Sequence, residues 1–270
     1  MAVKLGSKSI ETGKRTLIMG ILNVTPDSFS DGGSFFDEES IARGIDELIK
    51  NGADIIDVGG ESTRPGYTPV DADEEIRRIS PALDLLRSRD VIVSVDTSKA
   101  RVAEFALDKG CDIINDVTAL YGDNDMASLC GRSACGVVLM YNRRLQEDTT
   151  EDVLADARRF LAGAVKTAVD AGVSNDSIII DPGIGFGTTR EEEILLTKYL
   201  AEINPGDYPI LYACSRKRLT GEFASNMEER DSATAALSVM SVSAGADIVR
   251  VHNPGLIRPA IKAADALYRG

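Results

Sequence analysis

Eight short apolar runs rich in β-branched residues recur along the chain, and this repetition constrains the fold more than any other feature. They occupy residues 16–23, 53–60, 91–96, 111–116, 136–141, 177–183, 209–215 and 246–252. Segments with apolar spacing near 3.6 residues separate them, at 38–51, 72–89, 98–109, 123–131, 151–171, 191–204 and 231–245, and an eighth follows at 255–269. The runs do not alternate polar with apolar residues, so both faces of each strand should be buried, as in a parallel sheet.

Alternation of strands and helices without a break in composition predicts one α/β domain over residues 1–270. Eight such units in about 250 residues are typical of a (β/α)₈ TIM barrel. A doubly wound open sheet is the structural alternative. Against it, no G-x-G-x-x-G fingerprint follows the first run.

Charge and composition narrow the partners and the location. The formal net charge is −13, which argues against a general nucleic-acid or membrane-surface binder. The first 15 residues contain no apolar stretch typical of a signal peptide, and no run approaches the roughly 18 apolar residues that span a bilayer. We therefore expect a cytoplasmic protein with small-molecule substrates.

Cysteine and histidine usage excludes several mechanisms. The four cysteines, at 111, 130, 135 and 214, form no C-x-x-C pair, so we expect them to be reduced and packed. His252 is the only histidine, which rules out a poly-histidine metal site and leaves one candidate for any Ser-His-Asp triad.

Polar residues follow nearly every predicted strand, where a barrel of this kind carries its chemistry. They are Asn23, Asp57, Glu61, Asp96, Asn115, Asp116, Tyr141, Asn142, Asp181, Ser215, Arg216, Lys217, Arg250 and His252. Each has a simpler explanation taken alone: Asp96 could cap a helix and Asn115 could close a turn. Eight strand ends of this kind on one rim are harder to explain by capping, so we favour a binding site.

The residue types on this rim divide into two groups. Asp96, Asn115, Asp181 and Lys217 suit the edge of a flat, nitrogen-rich heterocycle, because carboxylates accept N–H bonds and an amide bonds both ways. Asn23, Arg64, Arg250 and His252 suit phosphate oxygens. The sequence therefore predicts a heterocycle pocket beside an anion pocket.

The stretch ILNVTPDSFSDGG, residues 21–33, carries more hydrogen-bonding side chains than a simple turn requires. Together with GADIIDVGGESTRPG, SVDT, INDV, DPGIGFG, SRKR and RVH, in this order and spacing, it resembles the bacterial dihydropteroate synthase family, over about residues 16 to 266. That family is a (β/α)₈ barrel, usually a homodimer. The resemblance implies a transferase of folate biosynthesis that joins 6-hydroxymethyl-7,8-dihydropterin diphosphate to p-aminobenzoate, and a target of sulfonamides.

The resemblance also implies residue roles. Loops at about 24–36 and 62–69 would be mobile and close over the diphosphate, and Asn23 would bind Mg²⁺ on it. Asp96, Asn115, Asp181 and Lys217 would hold the pterin, and Arg64, Arg250 and His252 the diphosphate. Thr63, Pro65, Phe186 and Arg218 would line the p-aminobenzoate site. The catalytic set would be Asn23, Asp96, Lys217, Arg250 and His252.

Three departures from the family pattern leave alternatives open. Tyr141 stands where the family commonly has His, Asn253 where it has Asp, and Ala213 where it has Gly. They motivate a pterin-binding paralogue without turnover or with altered activity. A folate-dependent methyltransferase would share the Asp/Asn pocket but would not account for TPDSFSDGG or STRPG.

Apolar residues on the last two helices predict a subunit contact. Leu237, Val239, Met240 and Val242 spread around more than one face of the first of these helices. A barrel helix needs only one apolar stripe, so we expect a homodimer through this end of the chain.

Overall fold

The computed structural model describes residues 2–6, 8–25, 38–61 and 68–270. Within these, ten strands form: β1 Ala2–Leu5, β2 Lys8–Glu11, β3 Leu17–Asn23, β4 Ile55–Gly59, β5 Ile92–Asp96, β6 Ile113–Asp116, β7 Gly136–Met140, β8 Ile178–Asp181, β9 Leu211–Tyr212 and β10 Ile248–Val251. The predicted loops at 24–36 and 62–69 fall mostly outside the described residues.

Nine α-helices occur in the described ranges: α1 Glu38–Lys50, α2 Ala72–Leu86, α3 Ala100–Asp108, α4 Met126–Ser133, α5 Val153–Asp170, α6 Arg190–Lys198, α7 Arg218–Gly221, α8 Met227–Ser243 and α9 Pro254–Tyr268. Short 3₁₀ turns occupy Arg143–Leu145, Asn175–Ser177 and Leu200–Ile203. Among the described helices, none is long and apolar enough to cross a membrane.

Eight parallel strands close into the predicted barrel. Their hydrogen-bonded order is β8-β7-β6-β5-β4-β3-β10-β9. The ring closes between β8 and β9 through a parallel bridge of Ile180 with Ile210 and a hydrogen bond of 3.0 Å from the Ile180 N–H to the Pro209 carbonyl. The prediction of a (β/α)₈ barrel rather than an open sheet is confirmed.

Strand side chains alternate between the barrel interior and the helical layer. The inner cluster consists of Leu17, Met19, Ile55, Ile113, Val138, Ile179, Leu211 and Ile248. Val58, Ile114 and Leu139 point the other way and pack against helix residues such as Ile41 and Ile79. Burial on both faces explains why the strands lack polar alternation.

The hairpin β1–β2 was not predicted from the sequence. Its Val3, Leu5 and Ile10 join the inner cluster, so the hairpin packs against the barrel at the end opposite the strand C-termini. Burial alternates along β1, but over only four residues, which is too short a stretch to give a clear signal. The hairpin therefore covers the N-terminal end of the barrel, and the polar strand ends lie at the other end.

The remaining differences concern element boundaries in the seventh βα unit of the barrel. β9 contains only two residues, α7 is a single turn that the sequence did not indicate, and α8 begins at Met227 rather than at 231. Asn226 caps α8 by accepting the Glu229 N–H at 2.9 Å.

Candidate active site

Asp57 is the centre of a buried polar cluster at the C-terminal ends of β4, β5, β6 and β10. Its carboxylate accepts from Ser94 Oγ at 2.6 Å, Asn115 Nδ2 at 3.1 Å and Arg250 Nε at 2.6 Å. The same guanidinium donates from Nη2 to Asp96 Oδ2 at 2.7 Å. Arg250 therefore holds two carboxylates from neighbouring strands, and Asp57 links it to Asn115, the register partner of Asp96.

Burial governs the ionisation of this cluster. It raises the pKa of the Asp96 carboxyl to about 7, against the opposing attraction of Arg250. For Arg250, burial lowers the pKa, but the attraction of Asp57 and Asp96 outweighs it and the net pKa is raised. The hydrogen-bonded contact at 2.7 Å fits an ionised pair, which a modest drop in pH would protonate at Asp96.

A second carboxylate, Asp181, lies at the end of β8. Its Oδ1 accepts the N–H of Gly183 at 2.7 Å. Burial raises its pKa and lowers that of the Lys217 ammonium, while the attraction between these two groups opposes both shifts. Lys217 Nζ also donates to the Ile184 carbonyl at 2.9 Å, so it is held above the Asp181 loop.

The turn after Asp181 requires a glycine at position 183. Its φ is +70°, and a Cβ there would lie 1.7 Å from the carbonyl oxygen of Tyr141. Only glycine permits both the left-handed conformation and this close approach. The glycine that follows Pro182 thus directs its own N–H towards the Asp181 carboxylate.

Phe186 contributes the aromatic wall next to Lys217. The Lys217 ammonium lies 4.9 Å from the ring centroid, and the Arg144 guanidinium lies 5.4 Å from it. Both distances are in the range of cation–π contacts. Arg218, the next residue after Lys217, is exposed at the start of α7.

His252 follows Arg250 by two positions and contacts Ser215. Its Nδ1 lies 3.0 Å from Ser215 Oγ, which also accepts the His252 N–H at 3.3 Å. Arg250 thus contacts two carboxylates and His252 contacts Ser215 in the loop after β9, and their assignment to the diphosphate stays a prediction. Thr63, Arg64 and Pro65 lie outside the described residues.

Asn23 ends β3 beside the same rim. It pairs in register with Gly59, which pairs with Asp96 on the far side. A Cβ on Gly59 would lie 3.4 Å from Asn23 Oδ1, so the amide oxygen reaches across the strand end. No group of three or more acidic, histidine or cysteine ligands for a metal exists within the described residues.

Two simple explanations considered for the rim residues are wrong. Lys99, not Asp96, is the N-cap of α3. The Asn115 amide bonds Asp57 instead of closing a turn; the turn is closed by Asp116, whose carboxylate accepts the Thr118 and Leu120 N–H groups. Asp57 was predicted to lie at a strand end but without a role. The signal that could have revealed its role is its position on β4, a strand paired on both sides with β3 and β5.

The three departures from the family pattern lie outside the cluster. Tyr141 is fully buried in the outer layer, with its ring edge-on to Phe160 at 5.7 Å. Asn253 caps α9 through the Leu256 N–H at 3.2 Å and donates to Asp231 Oδ2 at 3.4 Å. Ala213 is buried beside Cys214, and burial raises the pKa of that thiol to about 12, which makes it a packing residue and not a nucleophile.

A cavity of about 220 Å³ opens at the opposite end of the barrel and is distinct from this site. It is lined by Leu83, Leu86, Val91 and Cys111 with Lys8 and Lys109 at its edge. Both lysines are already paired, with Asp112 at 2.9 Å and Asp84 at 2.7 Å. At the strand C-termini, by contrast, burial shifts the pKa values of Asp96, Asp181 and Lys217, which are the kinds of groups that bind polar ligands.

Comparison with known proteins identifies the family. A model of the family described as pterin binding enzyme matches residues 19–252. Dihydropteroate synthase of Clostridium beijerinckii is 44% identical, over 99% of this chain and 100% of its own length. A crystal structure of the Clostridium difficile synthase, obtained in the presence of pteroic acid, is 42% identical with a TM-score of 0.91, over 97% of this chain and 100% of that one.

A more distant structure agrees over nearly the same length. The Xanthomonas albilineans dihydropteroate synthase with 4-aminobenzoic acid is 34% identical with a TM-score of 0.92, and the match covers 98% of this chain and 97% of that chain. The match extends over the whole barrel, including the strands whose ends build the Asp57 cluster. The chain belongs to the dihydropteroate synthase family of pterin-binding enzymes.

Proposed function

We propose that this protein condenses 6-hydroxymethyl-7,8-dihydropterin diphosphate with p-aminobenzoate to give 7,8-dihydropteroate and pyrophosphate. The observation that carries the proposal is the pair of buried carboxylates, Asp96 and Asp181, on one rim beside Lys217 and Arg250. Buried carboxylates at a strand-end rim suit a ligand that donates hydrogen bonds, and the amino-pyrimidine edge of a pterin supplies such donors.

In this proposal Asp96, Asn115 and Asp181 hold the heterocycle, and Lys217 donates to its acceptor atoms. The C–O bond at the pterin methylene breaks and its electron pair leaves with pyrophosphate. The arylamine lone pair then forms the C–N bond, and the amine proton passes to the released pyrophosphate or to water. His252 and Arg64 stabilise the negative charge that develops on the leaving group.

Asn23 is the residue we propose to hold Mg²⁺. One amide oxygen at the strand end suits Mg²⁺, which keeps several waters and takes its remaining ligands from substrate phosphates. When bound, the ion would neutralise the growing charge of the pyrophosphate. Phe186, Arg218 and the residues at 63–65 are the proposed walls for p-aminobenzoate, the ring that sulfonamides would displace.

Release of pyrophosphate tests the proposal directly. Purified protein mixed with Mg²⁺, the pterin diphosphate and p-aminobenzoate should release pyrophosphate in step with dihydropteroate. Omission of p-aminobenzoate should stop product formation, and a sulfonamide should compete with it. Binding of the pterin without any turnover would instead favour the non-catalytic paralogue, for which the positions of Tyr141 and Asn253 give no structural support.

A further inference from the structure

The turn after β9 contains an arginine in a strained conformation. The turn runs from Cys214 to Lys217, and the Lys217 N–H donates to the Cys214 carbonyl at 3.1 Å. Arg216, the third residue of this turn, has a φ of +57°. A positive φ at that position favours glycine or asparagine, because a Cβ comes too close to the following carbonyl oxygen. Arginine persists in such a conformation only where surrounding contacts hold it there.

A carboxylate on α8 supplies these contacts. Asp231 Oδ1 accepts from Arg216 Nε at 2.8 Å, and Asp231 Oδ2 accepts from Arg216 Nη2 at 2.9 Å. Two parallel charge-assisted bonds fix the orientation of a guanidinium more strictly than one bond does. Asp231 is only 6% exposed, and Asn253 at the N-cap of α9 donates to its Oδ2 at 3.4 Å. The carboxylate is therefore held by the helical layer, and it ties the turn to that layer.

Both sequence neighbours of Arg216 contact the proposed substrate site. Ser215 Oγ lies 3.0 Å from His252 Nδ1 and accepts the His252 N–H at 3.3 Å. The Lys217 ammonium lies 4.9 Å from the centroid of the Phe186 ring. Because Ser215 and Lys217 are each joined directly to Arg216, a change in its φ would move them relative to each other. The strained residue therefore controls two groups of the site through the backbone.

We propose that Arg216 and Asp231 are positioning residues: their ion pair holds the turn in its left-handed conformation and thereby places Ser215 and Lys217 in the site. This rests on the proposed function, in which Lys217 binds the pterin and His252 binds the diphosphate. Within the described part of the chain, the side chain of Arg216 hydrogen-bonds Asp231 alone. A residue that adopts a positive φ without strain should therefore replace the ion pair.

Steady-state kinetics of Arg216→Ala and Arg216→Gly test this, since both variants lose the guanidinium and differ by one methyl group. Alanine without the ion pair should leave the left-handed conformation, whereas glycine adopts it freely. Arg216→Ala should lower kcat/KM for the pterin diphosphate by roughly ten- to a hundredfold, as small displacements of positioned groups do. Arg216→Gly should recover most of that loss.

Arg15→Ala is the matched control for loss of a two-bond ion pair. Arg15 donates from Nη1 and Nη2 to the Asp54 carboxylate, at 2.8 Å in each case. This pair lies at the N-terminal ends of β3 and β4, away from the rim. Arg15→Ala should therefore leave kcat/KM at the wild-type value.

A second comparison tests whether Asp231 acts through Arg216. Asp231→Asn alone should lower kcat/KM, because Arg216 loses the charge that holds it in the strained conformation. Adding Arg216→Gly to Asp231→Asn should restore activity, although it removes the second partner of the ion pair. An ion pair that only stabilised the fold would give the opposite order. A double variant no more active than Asp231→Asn would overturn the positioning role.

His252 provides a measurement that requires no turnover. It is the only histidine in the chain, so its ring Hε1 proton gives one assignable NMR signal. Because Ser215 Oγ contacts the ring, the signal should move in Arg216→Ala and stay near its wild-type position in Arg216→Gly and Arg15→Ala. Arg216→Ala and Arg216→Gly have the same net charge, so a difference between them reports placement of Ser215.

The two measurements separate this inference from the proposed reaction. Equal kinetic losses and equal His252 signals in Arg216→Ala and Arg216→Gly would overturn the positioning role. A signal that moves only in Arg216→Ala, with a wild type that lacks synthase activity, would overturn only the proposed reaction. If Arg216→Ala does not fold, the comparison of Asp231→Asn with its Arg216→Gly double variant decides.

Discussion

At the scale of single residues, the two rim carboxylates differ in what neutralises them. Asp96 receives the guanidinium of Arg250, whereas Asp181 receives a backbone N–H and the more distant field of Lys217. Both are buried, so each protonates more readily than an exposed carboxyl would. Ligand binding and stability should therefore respond to pH in opposite directions.

Pterin affinity should fall as pH decreases through about 7, because protonated Asp96 loses one acceptor for the ligand's N–H groups. The loss of affinity should reach at most about tenfold per pH unit, which is the limit for one proton.

The free energy of unfolding of the ligand-free protein should change with pH in the opposite direction. The unfolded carboxyl releases its proton near 3.8 and the folded one near 7, so this group's contribution to stability falls as pH rises between those values. Calorimetric titration with pteroic acid at several pH values checks the predicted loss of affinity. Asp96→Asn should remove the pH dependence of affinity near pH 7.

Asp181→Ala should abolish pterin binding while the barrel persists. The change removes an acceptor for the ligand and leaves the Gly183 N–H without its partner, at a cost of about 1–3 kcal/mol for each unpaired group. Asp176→Ala is the matched control, because that carboxylate is partly exposed and pairs with Lys4 away from the rim. Calorimetry should give wild-type affinity for the control. The same affinity in Asp181→Ala would remove Asp181 from the site.

Residue types on the rim could be predicted from the sequence, but their pairing could not. The order of strand ends placed Asp96, Asn115, Asp181 and Lys217 at one edge, since parallel strands share their C-terminal side. Asp57 gained its role only in three dimensions, because its partners lie 37, 58 and 193 positions away in the chain. For the same reason, nothing in the sequence indicated that Arg250 turns towards carboxylates.

At the scale of elements, the turn after β8 both packs against the backbone of Tyr141 and donates a hydrogen bond to Asp181. Gly183 combines a positive φ with a backbone approach that no other residue tolerates. Most strands and helices were predictable from periodicity. The capping box of α6, in which the Thr189 and Glu192 side chains accept each other's backbone N–H, was not predicted. The hairpin β1–β2 and the single turn of α7 were missed because four residues carry too little periodic signal.

Gly183→Ala should cost more stability than Gly110→Ala, although both glycines have positive φ. Gly110 has a φ of +93°, and a Cβ added there would meet no atom within 4 Å, so its substitution measures backbone strain alone, about 1–2 kcal/mol. At Gly183 the overlap with the Tyr141 carbonyl adds to this strain. Urea denaturation compares the two variants. Equal losses would show that the loop relaxes away from Tyr141 without cost.

At the scale of the whole molecule, the two ends of the barrel differ in what the described residues place there. The hairpin packs against the inner cluster at the N-terminal end, while polar residues occupy the C-terminal rim. The eight-unit repeat was sufficient to predict this architecture, because few folds accommodate eight βα units in one chain of this length. Dimer formation depends instead on which helical faces remain exposed. The sequence alone did not decide whether the Met240 side chain lies on an exposed face.

Met240 and Leu267 lie on neighbouring helices, α8 and α9, and both are more than half exposed, as is Tyr268. We propose that they form part of a two-fold contact, since exposed apolar side chains on adjacent helices are typical of subunit interfaces. Met240→Glu should then weaken the dimer, because it places a charge in an apolar interface.

Light scattering at micromolar concentration should give twice the 28.9 kDa mass of one chain for the wild type and a lower average mass for Met240→Glu. Val169→Glu is the control: Val169 is a partly exposed apolar residue on α5, and α6 separates that helix from α8. It should remain dimeric. A wild-type mass near 28.9 kDa would refute the dimer, and equal dissociation of both variants would place the contact elsewhere or attribute the effect to added charge alone.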